Sequence, residues 1–126
     1  FAYLHEVRPE LVYPHLQEWN KSKNPWMRRQ SVLSPLCYAR SRKVKPPFNK
    51  IIALVKPLLN DPDYYVQKGV GWCLRETGIV YPEKTFVFLN EYHHVITSTA
   101  FAAAAEKLPT KQKEQLKLLR KKSRKK

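Results

Sequence analysis

Apolar residues recur along this chain with the period of an α-helix and not with the alternation of a β-strand. In the clearest stretch, Val66, Val70, Cys73 and Thr77 follow one another at i, i+4, i+7 and i+11. This spacing places the four side chains on one face of a helix, where neighbouring elements would bury them. The pattern predicts an amphipathic helix over this part of the chain.

Two helix starts are marked by a capping residue that precedes a proline. Asn24-Pro25 and Asp61-Pro62 each place a side-chain acceptor before a proline at the first helical position. They predict helices near 25–41 and 62–80, with starts 37 residues apart.

Each of these helices is followed by a predicted partner, near 48–59 behind Pro46-Pro47 and near 83–95 behind Pro82. A small-residue helix from Thr97 to Lys107 and a charged helix beyond Pro109 complete the chain. Ten prolines and only three glycines favour helices joined by short turns. A helix pair of this length has the size of a HEAT or armadillo unit. We therefore expect an all-α fold, an α-α solenoid in which HEAT-like repeats form a superhelix.

The face of the 62–80 helix opposite the apolar stripe carries Tyr64, Lys68, Gly71 and Arg75. Gly71 between two cations predicts a low point where a phosphate backbone approaches closely. The alternative is that this is only the solvated face of an amphipathic helix.

Aromatic and basic residues also crowd the junction of the first two helices: Trp19, Lys23, Trp26, Arg28 and Arg29. Such junctions of successive repeats line a common surface. We expect Trp19 in a cleft and Trp26 and Trp72 in the core. Arg29 shares a stripe with Trp26, Leu33, Leu36 and Cys37. It either contacts a phosphate or pairs with a carboxylate such as Glu18, Glu76 or one from the expected N-terminal part of the protein.

The net charge of the chain indicates the kind of partner it binds. The chain has 24 Lys and Arg against 10 Asp and Glu, and a net charge of +14 indicates a polyanion, nucleic acid first. Nine of the basic residues follow Thr110, and without them and Glu114 the body still carries +6. We divide the chain into a repeat domain over 1–108 and a basic helix or tail over 109–126, which we interpret as a solvated extension.

Several classes of site find no support in the sequence. Cys37 and Cys73 lie in apolar helical patterns and are expected to be buried and reduced. There is no Gly-x-Ser-x-Gly, no Gly-rich phosphate loop and no His-Glu-x-x-His, and His93 and His94 point apart on a helix. We expect no metal, no cofactor, no membrane span, and a cytoplasmic monomer. Because the chain starts at Phe1 in sequence that already resembles a helix, we expect it to be the C-terminal part of a longer protein.

Two segments, Trp19–Arg29 and Asp63–Glu76, resemble the signature stretches of the DNA alkylation repair family of HEAT-repeat DNA glycosylases. The resemblance rests on a Trp, an Asn-x-Trp-x-x-Arg and a Lys-x-x-Gly-Trp-x-x-Arg-Glu in this order. With the helix pairs around them, the resemblance extends to about Leu108.

The resemblance implies base excision repair: removal of cationic N3- or N7-alkylated purines from duplex DNA held on a basic concave face. Trp19 matches an aromatic residue that cradles the deoxyribose, and Gln67 and Lys68 match a stretch that holds a phosphate-contacting cation. The family's catalytic Asp is expected four residues after that Trp, where this chain has Lys23. A cation there opposes the oxocarbenium character of the transition state.

Three hypotheses follow. The first is an active glycosylase that uses another carboxylate, Glu18 or Asp63. The second is a non-catalytic paralogue that binds distorted duplex DNA, and the third is a scaffold for an acidic protein partner. In the first two, the DNA-binding residues expected are Trp19, Lys23, Arg28, Arg29, Gln67, Lys68 and Arg75.

Overall fold

The computed structural model describes residues 9–33 and 47–124, and within them it contains helices and turns but no strand. The helices are α1 (Pro9–Asn20), α2 (Pro25–Leu33), α3 (Phe48–Val55), α4 (Tyr64–Val80), α5 (Pro82–Glu91), α6 (Ser98–Ala104) and α7 (Thr110–Arg124). A 3-10 turn, Lys56–Leu58, extends α3. The all-α prediction is confirmed. Leu36, Cys37 and the predicted end of the second helix lie outside the described residues.

One of the two predicted helix starts is correct and the other is displaced. The Asn24 side chain accepts a hydrogen bond from the Trp26 amide at 2.9 Å, as a capping residue should. The cap of α4 is Asp63, not Asp61: its Oδ1 accepts from the amides of Tyr65 and Val66 at 2.9 and 3.0 Å. The prediction failed because two aspartates flank Pro62, and the sequence does not say which of them caps the helix.

Helices α2, α4 and α6 lie side by side and run in the same direction. Along the first pair, Trp26 contacts Tyr65 and Arg29 reaches Gly69. Along the second pair, the Thr97 hydroxyl donates to Gln67 at 3.0 Å, and further along the pair Arg75 lies 3.7 Å from Glu106. We call these three helices the A layer.

Helices α1, α3 and α5 form a second set of parallel neighbours, with α7 packed against α5. The Tyr13 hydroxyl donates to the Lys50 carbonyl oxygen at 2.7 Å, and Asn20 Nδ2 donates to the Leu54 oxygen at 2.6 Å. The Phe48 ring packs edge-on against Tyr81. We call these four helices the B layer. Because the chain alternates between the layers, the architecture is that of an α-helical repeat protein, as the helix pairs predicted.

The core lies between the layers, and the predicted stripe of α4 faces it. Val66, Val70 and Cys73 have no exposed surface, and Thr77 is 1% exposed. From the B layer, the side chains of Leu54, Leu58, Leu89 and Leu116 complete the core. Burial of this mainly apolar surface is the main favourable term in folding. None of the helices within residues 9–33 and 47–124 is long and apolar enough to cross a bilayer.

Helix α7 is docked on the body through two residues one turn apart. Leu116 is fully buried, and Arg120 is 8% exposed. Arg120 Nη1 donates to the carbonyl oxygens of His93 and Ile96 at 2.8 and 2.7 Å, and its guanidinium lies 4.4 Å from the centre of the Phe101 ring. The interpretation of the tail as a purely solvated extension is therefore wrong for the Leu116–Arg120 turn. The division at residue 108 stays a prediction.

Candidate nucleic-acid interface

The outer surface of α4 is aromatic and basic. Tyr64, Tyr65, Lys68 and Trp72 are exposed, and Trp72 leaves 53% of its surface accessible. At 100° per residue these positions fall within one arc of the helix, opposite the buried stripe. The arc lies between α2 on one side and α6 on the other, so it forms the outer surface of the A layer.

The sequence prediction centred this surface too close to α6, by about 50° around the axis of α4. Gly71 is buried, since a Cβ added there would lie 2.7 Å from the Ala100 oxygen and 2.8 Å from Ala103 Cβ. The low point predicted for a phosphate is therefore filled by α6. Arg75 lies at the same border: its Nε is buried and only 16% of its side chain is exposed.

Helix α2 continues the surface with Trp26 and Arg29. Trp26 is 55% exposed, and its ring meets the ring of Tyr65 edge-on at 6.5 Å between centroids. The guanidinium of Arg29 lies 5.1 Å from the centre of the Trp26 ring, and the Lys68 ammonium lies 5.6 Å from the ring of Tyr64. Six residues form what we call the aromatic–cationic face: Trp26, Arg29, Tyr64, Tyr65, Lys68 and Trp72.

Arg29 belongs to this face and does not pair with Glu18 or Glu76. Within the residues that the structure describes, no carboxylate forms an ion pair with it, Glu18 and Glu76 included. Its stem crosses α4 at Gly69, where an added Cβ would lie 2.9 Å from Arg29 Cγ. Its buried Nε has no hydrogen-bond partner among the described residues.

Two of the predicted contact residues have structural roles instead. Arg28 forms a two-pronged ion pair with Asp61, through Nε to Oδ2 at 2.6 Å and Nη2 to Oδ1 at 3.2 Å. Gln67 is 4% exposed, and its amide donates to the carbonyl oxygens of Leu58 and Asp61. Both residues bond to the turn before α4 and hold it in place.

Four further predicted residues, Glu18, Trp19, Lys23 and Asp63, differ in how far they are exposed. Glu18 and Lys23 are exposed at the end of α1 and in the turn that follows, while Trp19 is half-buried against the core. Asp63, the second candidate carboxylate, is half-buried and caps α4. The structure therefore leaves Glu18 as a carboxylate near Trp19, and gives Asp63 a structural task.

The expectation that Trp26 and Trp72 lie in the core is wrong, and Tyr65 was overlooked. Apolar character favoured burial for both tryptophans, yet each lies on the exposed arc of its helix. The helical period contained a usable signal, because Trp72 is four residues after Lys68 and three before Arg75. A stripe centred on Lys68 and Trp72 would have identified the face.

Two titratable groups outside this face have shifted pKa values that follow from their surroundings. Burial raises the pKa of the Cys73 thiol to about 12, partly opposed by its contact with the Thr77 hydroxyl, so this cysteine stays protonated and unreactive. Desolvation, with smaller effects of the charges of His94 and Arg120, lowers the pKa of His93. Among the described residues there is no cluster of three His, Cys, Asp or Glu side chains suited to a metal ion.

The fold and this face define a helical-repeat protein whose outer A layer exposes tryptophan, tyrosine and cations together. The sequence profile of the DNA alkylation repair enzyme family matches residues 2–108, and the chain belongs to that family. Its general role is therefore in DNA alkylation repair. No curated protein and no solved structure matches the chain significantly. Helix α7 lies beyond the matched residues.

Proposed function

We propose that the aromatic–cationic face binds duplex DNA. The observation that carries the proposal is the exposure of Trp26, Tyr65 and Trp72 beside Arg29 and Lys68 on one surface. Exposed tryptophan is uncommon, and a contiguous aromatic patch on a soluble domain is typical of an interaction site. The net charge of +14 favours a polyanion as the partner.

The cationic and the aromatic side chains of this face would contact different parts of the DNA. Arg29 and Lys68 neutralise phosphates, and Arg29 is suited to a two-pronged contact because its guanidinium is planar. The rings of Trp26 and Trp72 offer flat surfaces for a sugar or an unstacked base. Contacts of this kind read the backbone and its shape, so binding is expected to tolerate many sequences.

The substrate class follows from the family resemblance: duplex DNA with N3- or N7-alkylated purines, whose N-glycosidic bond is hydrolysed. An alkylated purine already carries positive charge and leaves without a general acid, so the protein has to stabilise charge on the sugar. That task needs a negative charge, and Lys23, exposed in the turn that follows α1, carries a positive one. The proposal is therefore a DNA-binding repair protein with weak or no base release, acting in the cytoplasm as a monomer.

A scaffold for an acidic protein partner is the second candidate, and one feature of the B layer favours it. A groove of about 390 Å³ lies between α3 and α5. Its lining includes Ile52, Val87 and Phe88, and its charged residues are Lys56, Lys84 and Glu91, a net positive set. An acidic amphipathic helix would fit such a groove by charge and by apolar contact.

Fluorescence anisotropy with a labelled duplex tests the DNA proposal and separates it from the scaffold. We expect Lys68→Ala and Trp72→Ala each to weaken binding about 5- to 50-fold, equivalent to about 1–2 kcal/mol. Both side chains are exposed, so the melting temperature should change little. Wild-type binding should also weaken by orders of magnitude from 50 to 200 mM salt if about six phosphates are contacted.

Lys84→Ala is the matched control. Lys84 is exposed and lies over the ring of Tyr81 at 5.7 Å, as Lys68 lies over Tyr64, but it belongs to the B layer. Equal losses for Lys68→Ala and Lys84→Ala would show that only net charge matters and would contradict a defined face. Binding that survives high salt would contradict the role of phosphates.

A further inference from the structure

A second group of cations surrounds a pocket at the corner between α6 and α7. The pocket has a volume of about 390 Å³ and is lined by Ser98, Phe101, Lys117, Arg120 and Lys121. A water molecule occupies about 30 Å³ in the liquid, so a phosphate group has room there. Three of the five lining residues are cations, and none of these five is a carboxylate.

The docking of α7 determines where these lysines stand. Leu116 and Arg120, one turn apart, face the body and are buried. Lys117 and Lys121 each follow one of them by a single residue, so they form a pair about 100° further round the helix, at i and i+4. The bonds of Arg120 to His93 and Ile96 hold the helix in this orientation. The two lysines therefore line the pocket together with Ser98.

The pocket lies one helix beyond the aromatic–cationic face, because Ala100 and Ala103 of α6 turn towards α4 and Ser98 lies on the opposite flank. Helix α6 begins beside α4, because the Thr97 hydroxyl bonds to Gln67. Ser98 follows Thr97 as Lys68 follows Gln67, so Ser98 and Lys68 lie on adjacent helices at the same level. Packed helices are about 8–10 Å apart. One strand of a duplex advances about 3.4 Å along the DNA axis per nucleotide. A separation of about 8–10 Å between neighbouring helices therefore spans two or three phosphates.

We propose that Lys117, Lys121 and Ser98 form a phosphate-binding pocket that takes a backbone phosphate of the DNA bound on the aromatic–cationic face. The assignment of the phosphate to DNA rests on the proposed function, while the pocket itself rests on the cations and the volume. Arg120 is a positioning residue, since its guanidinium is occupied by backbone carbonyls. The pocket includes a helix outside the region that the family profile covers.

The test compares two doubly substituted proteins that lose the same charge from the same helix. Lys117→Gln with Lys121→Gln removes the pair in the pocket, and Lys111→Gln with Lys122→Gln removes two exposed lysines that do not line it. Glutamine keeps the helix propensity, so both proteins should fold. Anisotropy with labelled duplex is measured over a range of KCl. We expect the slope of log Kd against log salt to fall by about 0.9 for the pocket pair, the value for one phosphate, and to stay unchanged for the control pair.

A second arm uses inorganic phosphate and the amide NMR signals of Ser98, Lys121 and Lys111. We expect saturable shifts at Ser98 and Lys121 that the pocket substitutions abolish, with Lys111 unaffected. A phosphate response without a change in the DNA slope would assign the pocket to a free phosphate compound. Equal slopes for the two pairs together with no phosphate response would overturn the pocket. Failure of the wild type to bind duplex would contradict the proposed function alone, and the NMR arm would still decide the pocket.

Discussion

At the scale of single residues, the absence of a side chain at Gly71 determines how closely two helices of the A layer approach. The Gly71 backbone lies against Ala100 and Ala103 of α6, and an added Cβ would collide with a carbonyl oxygen that cannot move without its helix. The sequence interpretation gave the same glycine to a ligand. Both interpretations use the lack of a Cβ, and only the position of α6 distinguishes them.

Replacement of glycines in α4 should have opposite effects at two positions. Gly71→Ala forces α6 away, and we expect a loss of about 1–3 kcal/mol in the free energy of unfolding, as for other overpacked sites. Gly78→Ala places a Cβ 3.5 Å from Thr85 Cγ2, an ordinary contact. There the helix propensity of alanine should add up to about 1 kcal/mol. Urea unfolding of both variants measures the difference, and a harmless Gly71→Ala would contradict the close approach.

Arginines show how little residue type alone reveals. Arg28 pairs with Asp61, Arg29 lies over Trp26, and Arg120 bonds to backbone carbonyls. Arg28 and Arg29 were expected by sequence to contact DNA, and of the three arginines only Arg29 lies on the aromatic–cationic face. Because a guanidinium bonds equally well to carboxylates, carbonyls and phosphates, its role depends on which acceptor the fold brings near.

At the scale of elements, the turn before α4 assigns separate tasks to two neighbouring aspartates. Asp63 caps the helix, while Asp61 accepts from Arg28 and from the Asp63 amide. The Asp61 side chain is 7% exposed and that of Arg28 is 17% exposed. The ion pair thereby connects the start of α2 to the turn that leads into α4.

Substitution by asparagine should separate the two aspartates. Asp61→Asn leaves the Arg28 charge without its partner, and we expect a loss of about 2 kcal/mol, within the range for hydrogen bonds to charged groups. Asp63→Asn should cost less than about 1 kcal/mol, because asparagine caps helices as well as aspartate does. Chemical denaturation supplies both values. A larger loss at Asp63 would indicate that the cap, and not the ion pair, dominates this turn.

At the scale of the whole molecule, we expect the rate of base release to depend on the charge of Lys23. We expect the wild-type protein to release 3-methyladenine or 7-methylguanine from duplex DNA slowly or not at all, since an ammonium near the sugar raises the barrier to cationic depurination. Lys23→Asp should raise the single-turnover rate. Lys21→Asp is a matched control, because Lys21 is an exposed lysine in the same turn.

Two results would contradict this expectation. Rapid release by the wild type that Glu18→Gln abolishes would identify Glu18 as the working carboxylate. Asp63→Asn keeps the helix cap, so a loss of activity in that variant would assign a chemical role to Asp63. If no variant releases base while all bind DNA, the non-catalytic paralogue is the better description.

The sequence alone predicted the features that depend on local periodicity and local bonding. Helix-forming pattern, the Asn24 cap, the prolines at helix starts and the buried stripe from Val66 to Thr77 are properties of a few consecutive turns. They indicated an all-α fold of paired helices, and the composition indicated its basic character.

Only the tertiary structure decided which exposed side chains share a surface. A helix buries residues against every neighbour it touches, so the period of α4 identifies an inner face without locating α2 and α6 on its flanks. Their positions bury Gly71, cover most of Arg75 and leave Trp72 exposed between them. Arg28, Gln67 and Arg120 likewise find their partners in segments distant in sequence. The free energy of each of these side chains depends on atoms distant in sequence, and those atoms come together only when the layers pack.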